Sequence, residues 1–172
     1  MLKRFTVAAL LAAALGSAAP AGSAERPITP DDVARGEYLV AVMSCGDCHT
    51  PGHFFGKPDM TKYLGGSDVG FAIPGLGYFY GPNLTPDDET GLGTWSTAEI
   101  VTAMRTGVRP DGRVLAPAMP WMSFARLTDD DAFAISAYLK SLPPIDNKAP
   151  PPAGWNETPP APYQQVTMPP AR

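Results

Sequence analysis

The chain has 172 residues, of which 17 are acidic, 13 are basic and only 2 are cysteines. This length suits a single domain, and the net charge of −4 argues against binding to nucleic acid or to anionic lipid. The acidity either serves solubility alone or favours a partner protein with a basic patch.

The first 24 residues have the pattern of an export signal. Lys3 and Arg4 precede an apolar run from Phe5 to Leu15, which is too short to span a bilayer. Small residues follow this run, as they do before a cleavage site. We therefore expect residues 1–24 to be a signal peptide and the protein to be periplasmic. Membrane association is expected only if the signal stays uncleaved.

The first element expected after the signal is a helix from about Pro30 to Ser44. Thr29 can cap its first turn, Pro30 suits an early helical position, and Asp32 can complete a capping box. Gly36 inside this helix costs about 1 kcal/mol of helix propensity relative to alanine. A close crossing with another helix would explain a glycine there.

The most informative motif follows this helix. Cys45 and Cys48 are separated by two residues, and His49 comes directly after the second cysteine. This spacing is typical of covalent attachment of a c-type haem. The two thiols can bond to the two vinyl groups of one porphyrin, and the adjacent imidazole can then bind the iron. The motif occurs once, so one covalent haem is predicted.

Three other interpretations of these cysteines remain open. A disulfide between cysteines this close rarely closes without strain. A thioredoxin-like redox pair follows a strand, whereas the residues before Cys45 favour a helix. A zinc site requires further ligands at suitable spacing, and His53 is the candidate that remains. His53 lies four residues after His49, so we expect it at the surface or facing a haem propionate.

From Thr50 to Leu84 glycine and proline recur, with aromatic residues between them. We predict a long irregular loop whose aromatic side chains pack against a flat apolar cofactor. Near its end, the carbonyl of Pro82 is a good acceptor for the Nδ1–H of His49. That bond would fix the ring and raise its basicity as a ligand; an ordinary turn is the alternative.

Two further helices are predicted. Ser96 and Glu99 form a second capping box, and Gly107 is expected to end that helix. Thr128, followed by three aspartates, opens the last helix, which Pro143-Pro144 ends. Residues 145–172 are rich in proline, so an extended or polyproline-like tail is predicted, either as an inert wrap or as a docking arm.

A haem with one histidine leaves a second axial position, and methionine is the usual ligand where electron transfer is the task. Met119 is the preferred candidate, because Pro117 and Pro120 stiffen the backbone around it. Met122 is the second candidate. Met104 is expected in the core, and Met60 and Met168 lie in less suitable segments.

Taken together, the haem motif, Gly81-Pro82-Asn83-Leu84 and a loop methionine between helices resemble the class I cytochromes c. The resemblance implies an all-α fold of three principal helices with long loops around one covalent haem. It implies that the first and last helices cross at Gly36 and Tyr138. It also agrees with Pro82 as the acceptor for the His49 N–H.

A closer likeness is to the haem modules in cytochrome subunits of bacterial alcohol and gluconate dehydrogenases. It rests on residues 83–96, on Arg105-Thr106-Gly107 and on Ala118-Met119-Pro120-Trp121, and it extends over about residues 30–144. Those subunits usually carry three modules, whereas this chain has one motif. The likeness implies that Met119 is the iron ligand.

The predicted organisation is a signal peptide at 1–24, a cytochrome c domain at 25–144 and a tail at 145–172. The predicted function is one-electron transfer between redox proteins, without catalysis by the chain itself. Two alternatives stay open. One is an electron-accepting subunit of a periplasmic dehydrogenase, and the other is a gas-binding or sensor haem protein.

Overall fold

A computed structural model describes residues 26–168, so the expected signal peptide lies outside the described residues. The α-helices of the described chain are α1 (Pro30–Val42), α2 (Cys45–His49), α3 (Thr97–Thr106), α4 (Trp121–Phe124) and α5 (Asp129–Ser141). The strands are β1 (Gly70–Ile73), β2 (Gly77–Tyr80), β3 (Ala153–Gly154) and β4 (Tyr163–Gln164). Single 3-10 turns occur at His53–Phe55 and Met60–Lys62. Over residues 26–168, none of the helices combines the length and the hydropathy that crossing a bilayer requires.

The start of α1 is the predicted capping box. The hydroxyl of Thr29 accepts the Asp32 N–H at 3.2 Å, and the Asp32 carboxylate accepts the Thr29 N–H at 3.0 Å. The helix ends at Val42, two residues before the predicted end, because Ser44 adopts a left-handed conformation with φ of 56°. That turn redirects the chain, so that the haem motif forms its own helical turn, α2.

Gly36 marks the crossing of α1 with α5. A Cβ atom at this position would lie 2.0 Å from the carbonyl oxygen of Ala134 and 2.6 Å from Cβ of Tyr138. Neither distance is compatible with any side chain, so glycine permits the backbones to meet. The predicted crossing of Gly36 with Tyr138 is therefore confirmed.

The hydrophobic core lies between these helices and α3. Its buried members come from all three helices and from two loop positions: Leu39, Val40, Leu64, Leu92, Ile100, Met104, Ala132, Ala134, Ile135 and Leu139. Met104 belongs to this set, as predicted from its place in α3. The predicted capping box of α3 is also present, and Gly107 ends that helix with φ of 73°. The helical frame thus follows the sequence pattern closely.

The predicted all-α fold is wrong, because the segment between Thr50 and Leu84 contains a β-hairpin. Strands β1 and β2 pair antiparallel, with Gly70 opposite Tyr80 and Ile73 opposite Gly77. Each strand has only four residues and begins with a glycine, so only three side chains remain to show the alternation that predicts a strand. Four of the aromatic residues predicted to pack against a cofactor from an irregular loop, Phe71 and Tyr78 to Tyr80, lie in this sheet.

The tail completes a four-stranded mixed sheet in the order β3-β2-β1-β4. Strand β3 pairs antiparallel with β2, and β4 pairs parallel with β1. The described part of the tail is extended, in line with its proline content, but it takes part in the sheet. Helix α4, which immediately follows Pro120, has no counterpart among the predicted elements, because its four residues are too few for a helical period to show.

Candidate haem site

The two cysteines lie on α2, a single helical turn. Residues three apart on a helix share a face, so this turn directs Cys45 and Cys48 to the same side. Both thiols are free. Burial raises the pKa of Cys45 to about 11 and also raises the pKa of Cys48. A thiol–disulfide redox pair requires a lowered thiol pKa, so these values argue against that alternative.

His49 ends this turn and is buried, with 5% of its surface exposed. Its Nδ1 lies 2.8 Å from the carbonyl oxygen of Pro82. A carbonyl can only accept, so Nδ1 carries the proton and donates it, which leaves the Nε2 lone pair free for a metal. Burial lowers the pKa of His49, which keeps the ring neutral as a ligand must be.

Gly81 explains how Pro82 comes so close to the motif. A Cβ atom at Gly81 would lie 1.8 Å from the carbonyl oxygen of Cys48 and 3.3 Å from Nδ1 of His49. Any side chain here would push the segment away from α2. The glycine therefore makes the contact between His49 and Pro82 possible.

Backbone hydrogen bonds hold both sides of this contact. The carbonyl oxygen of His49 accepts the N–H of Gly66 at 2.8 Å, and the carbonyl oxygen of Gly81 accepts the N–H of Ser67 at 2.8 Å. The segment around Gly66 is thus bonded to both partners. The orientation of the imidazole is consequently determined by three stretches of chain.

Met119 lies in the loop between α3 and α4 and is partly buried. Its N–H donates to the carbonyl of Ala116 at 3.0 Å, and its carbonyl accepts the N–H of Trp121 at 2.8 Å. Met122 and Met60 are each 63% exposed, which makes them poor candidates for a site that excludes water. Met119 stays the preferred ligand, and its pairing with His49 across a haem stays a prediction.

His53 lies in a 3-10 turn after the motif and is partly exposed. Its Nδ1 is 3.7 Å from the Asp47 carboxylate. Within residues 26–168, no cluster of three or more His, Cys, Asp or Glu side chains is arranged to hold a metal ion. The structure thus brings Cys45, Cys48, His49 and Pro82 together, whereas His53 lies outside this group and is partly exposed.

Sequence reasoning missed Arg109. Its Nε is buried and has no hydrogen-bond partner, although the Asp111 carboxylate lies 3.4 Å away. The guanidinium also lies over the ring of Trp95, 5.1 Å from the ring centroid. Burial lowers the pKa of Arg109, so the cation lacks full compensation. A single arginine in a polar loop gives no signal in sequence that would have identified it.

These features fit a covalently bound haem. Two free thiols lie on one face beside an imidazole whose Nε2 is available. A buried arginine N–H that makes no hydrogen bond suits a carboxylate, the group that a haem carries on its propionates. The donor set is therefore that of a c-type haem protein, a class of electron-transfer proteins.

Comparison with known proteins identifies the family. The model of the family described as cytochrome c matches residues 33–143. The chain belongs to the cytochrome c family. The family match confirms the predicted haem c. It also confirms electron transfer as the predicted function, because the cytochrome c domain is an electron-transfer module.

Several relatives are cytochrome subunits of dehydrogenases. The chain is 39% identical over 145 residues to the cytochrome c subunit of alcohol dehydrogenase (quinone) from Gluconobacter oxydans, covering 81% of this chain and 28% of that protein. It is 35% identical over 130 residues to the fructose dehydrogenase cytochrome subunit from Gluconobacter japonicus, covering 74% of this chain and 24% of that protein. It is 37% identical over 130 residues to the gluconate 2-dehydrogenase cytochrome c subunit from Pantoea cypripedii, covering 76% of this chain and 27% of that protein. The predicted resemblance is confirmed, although the chain spans less than a third of the length of each of these relatives.

Proposed function

We propose that this chain is a periplasmic one-electron carrier with a single haem c. Cys45 and Cys48 bind the porphyrin through thioether bonds, and His49 and Met119 are the axial ligands. The observation that carries this proposal is the 2.8 Å contact from Nδ1 of His49 to the Pro82 carbonyl, beside two free thiols. When bound, the haem supplies a reversible ferric/ferrous couple.

The residues around the site have separate tasks. Pro82 holds the imidazole in one orientation and increases its basicity as a ligand. A methionine thioether favours the reduced iron and raises the redox potential. Arg109 offers to a propionate a buried N–H that makes no hydrogen bond, in addition to its ion pair with Asp111. With both axial positions filled by side chains, substrate has no access to the metal, so the chain carries electrons without catalysis.

The proposed division of the chain into segments agrees with this function. Residues 1–24 direct export, residues 25–144 form the cytochrome c domain, and residues 145–172 form the tail. Export suits the cofactor, because c-type haem is attached outside the bacterial cytoplasm. The chain has 2 cysteines, which suffice for one attachment motif and therefore for one haem. Membrane association is part of this proposal only if the signal stays uncleaved.

A second candidate function is that of an electron-accepting subunit in a periplasmic dehydrogenase. The names of the relatives favour it, because they are cytochrome subunits of alcohol, fructose and gluconate dehydrogenases. In this case the partner would be a dehydrogenase held in a lasting complex. A freely diffusing carrier would instead make a small, transient contact, below about 1,200 Å² in total. Co-purification from periplasm distinguishes the two.

The axial ligand is tested with Met119→Leu, matched by Met122→Leu three residues away. The full chain is produced in a host that attaches c-type haem, and one haem per chain is expected from the pyridine haemochrome spectrum. The wild type and the Met122→Leu variant should show the weak red absorption band of methionine-bound ferric haem. Met119→Leu should lose that band and shift the midpoint potential by roughly 100 mV or more, within the range that axial ligands control.

Two results would contradict the proposal. A colourless protein whose cysteines remain free after maturation would remove the haem altogether. Loss of the red band in Met122→Leu, with retention in Met119→Leu, would show that the ligand was assigned to the wrong methionine.

A further inference from the structure

The proline-rich tail returns to the segment that holds Pro82. Ile145, its first residue, donates its N–H to the hydroxyl of Thr85 at 3.1 Å. The carbonyl of Ile145 accepts an N–H from the side chain of Asn83 at 2.7 Å. Both partners follow Pro82 closely in sequence, so the tail is bonded to the chain immediately beyond the acceptor of the His49 proton.

Asn83 is the centre of this connection, with 1% of its surface exposed. Its Oδ1 accepts from the N–H of Thr85 at 2.9 Å and from the hydroxyl of Thr85 at 2.8 Å. Its Nδ2 donates to the hydroxyl of Thr90 at 2.9 Å and to the carbonyl of Ile145. All four hydrogen-bonding positions of the amide are therefore used, and the side chain has one orientation.

Asn147 connects the tail to the other side of the histidine. Its Nδ2 donates to the carbonyl of Gly65 at 2.8 Å, and its Oδ1 accepts from Nζ of Lys62 at 3.0 Å. Gly65 precedes Gly66, whose N–H donates to the carbonyl of His49. The tail thus contacts both stretches of chain that hydrogen-bond His49.

Peptide geometry carries this restraint to the imidazole. The carbonyl of Pro82 and the nitrogen of Asn83 belong to the same planar peptide unit. Fixing Asn83 therefore restricts the direction in which the Pro82 carbonyl points. The residues that do the fixing are buried: Thr85 is 0% exposed and Asn83 is 1% exposed. Water has little access to replace their bonds, so the arrangement is rigid.

We propose that the start of the tail is a positioning element for His49. Ile145 and Asn147 hold the Pro82 carbonyl and the Gly66 amide in place, and through them the tail determines the strength of the hydrogen bond from His49. This inference rests on the proposed function, in which His49 is an iron ligand. It gives the tail a redox role that neither an inert wrap nor a docking arm would have.

The inference is tested with Thr85→Val, which keeps the side-chain shape and removes the hydroxyl that links Asn83 to Ile145. Thr106→Val is the matched control, because its hydroxyl bonds locally, to the carbonyl of Thr102 in α3 and to the N–H of Val108 just after that helix. The first measurement is deuterium exchange of the His49 ring N–H, followed by proton NMR in the ferrous holoprotein. Exchange should be about three- to tenfold faster in Thr85→Val, the range expected from weakening one hydrogen bond.

The midpoint potential is the second measurement. A weaker bond to Pro82 makes the imidazole a poorer donor to the ferric iron, so the potential of Thr85→Val should rise. The ratio of ferrous to ferric protein at a fixed applied potential should increase about threefold. Thr106→Val should match the wild type in both measurements.

Asn147→Ala is an independent test from within the tail. Asn147 is half-buried, and loss of its side chain does not open the core. It should change both readouts in the same direction as Thr85→Val. Glu157→Ala is its control, because Glu157 bonds to the N–H of Gly154 within the tail. That variant should leave both readouts unchanged.

The outcomes separate two kinds of failure. If the amide of Ile145 exchanges faster in Thr85→Val while ring exchange and potential stay at wild-type values, the positioning role is overturned and the haem assignment stands. If the wild type binds no haem through His49, the proposed function fails, and this inference fails with it.

Discussion

The two candidate axial ligands lie in regions that are held in different ways. The histidine side, residues 64–67 and 81–85 together with α2, contains four buried polar side chains that are hydrogen-bonded: His49, Ser67, Asn83 and Thr85. Asn83 and Thr85 bond to each other and to the tail, whereas His49 and Ser67 bond to backbone carbonyls. The methionine loop, residues 107–119, is held by backbone bonds such as Leu115 N–H to the Gly107 carbonyl at 2.7 Å. Val114 in this loop is 62% exposed.

The difference shows where rigidity is required. A covalently attached haem needs one axial ligand whose side chain is held in a fixed orientation. The buried hydrogen bonds on the histidine side hold the imidazole in this way. A thioether is a weaker ligand. Its loop begins at Gly107, which lies so close to Trp121 that an added Cβ atom would be 2.7 Å from the ring. Local opening should therefore begin in the methionine loop, where buried contacts are fewer.

The largest expected effect is that of one added methyl group on the histidine side. Gly81→Ala would place Cβ 1.8 Å from the carbonyl of Cys48, so the segment carrying Pro82 must move away. We expect a loss of about 3 kcal/mol or more in the free energy of unfolding, as for other severe steric clashes. Urea denaturation followed by circular dichroism measures it.

The methionine loop supplies the matched variant for that experiment. Gly112→Ala adds the same methyl group at a position with nothing within 4 Å, although φ is +80°. Its cost should be limited to the left-handed backbone, about 1 kcal/mol. Equal losses for the two variants would contradict the contrast between a tightly packed histidine side and an open methionine loop.

An intermediate effect is expected from Arg109, which lies in the methionine loop but has a buried Nε that makes no hydrogen bond. Arg109→Gln removes a positive charge that favours the reduced iron, so the midpoint potential should fall by roughly 30 mV, about a threefold change in the redox ratio. Arg113→Gln is the control from the same loop. Spectroelectrochemical titration measures both, and equal shifts would show that only net charge matters.

The sequence predicted the parts of this molecule that depend on local patterns. Capping boxes at Thr29 and Ser96 located helix starts, and the cysteine spacing identified the haem motif. Gly36 was correctly explained by a helix crossing. Each of these features is a short run of side chains that is compatible with few local structures, so the residues alone predicted it.

The parts that were missed depend on contacts between distant stretches of backbone. The sheet consists of strands of two to four residues, too short for an alternating pattern to appear. The tail is joined to the histidine side through the N–H and the carbonyl of Ile145. Every residue type except proline has both groups, so they leave no mark in the sequence. The role of Arg109 depends on its burial, which a polar loop does not reveal.

The smallest expected effect concerns the contact between helices α1 and α5. Nε of Arg35 on α1 donates to Oδ1 of Asp131 on α5 at 2.9 Å, and this hydrogen bond is the main cause that lowers the pKa of Asp131. Because the folded pKa lies below the unfolded value of about 3.9, the pair stabilises the fold above that value. Its contribution is lost as the pH falls through the folded pKa.

Asp131→Asn should consequently reduce stability slightly at pH 7 and leave it unchanged well below the folded pKa of Asp131, because the carboxyl is protonated there. Asp31→Asn is the control, since Asp31 occupies the first turn of a helix of equal length. Urea midpoints across this pH range measure the difference. In the chain, α1 leads into α2 and α5 follows α4, so the red band and the helical signal should weaken together. Earlier loss of the band in Asp131→Asn alone would show that the α1–α5 contact supports the methionine loop more than the histidine side.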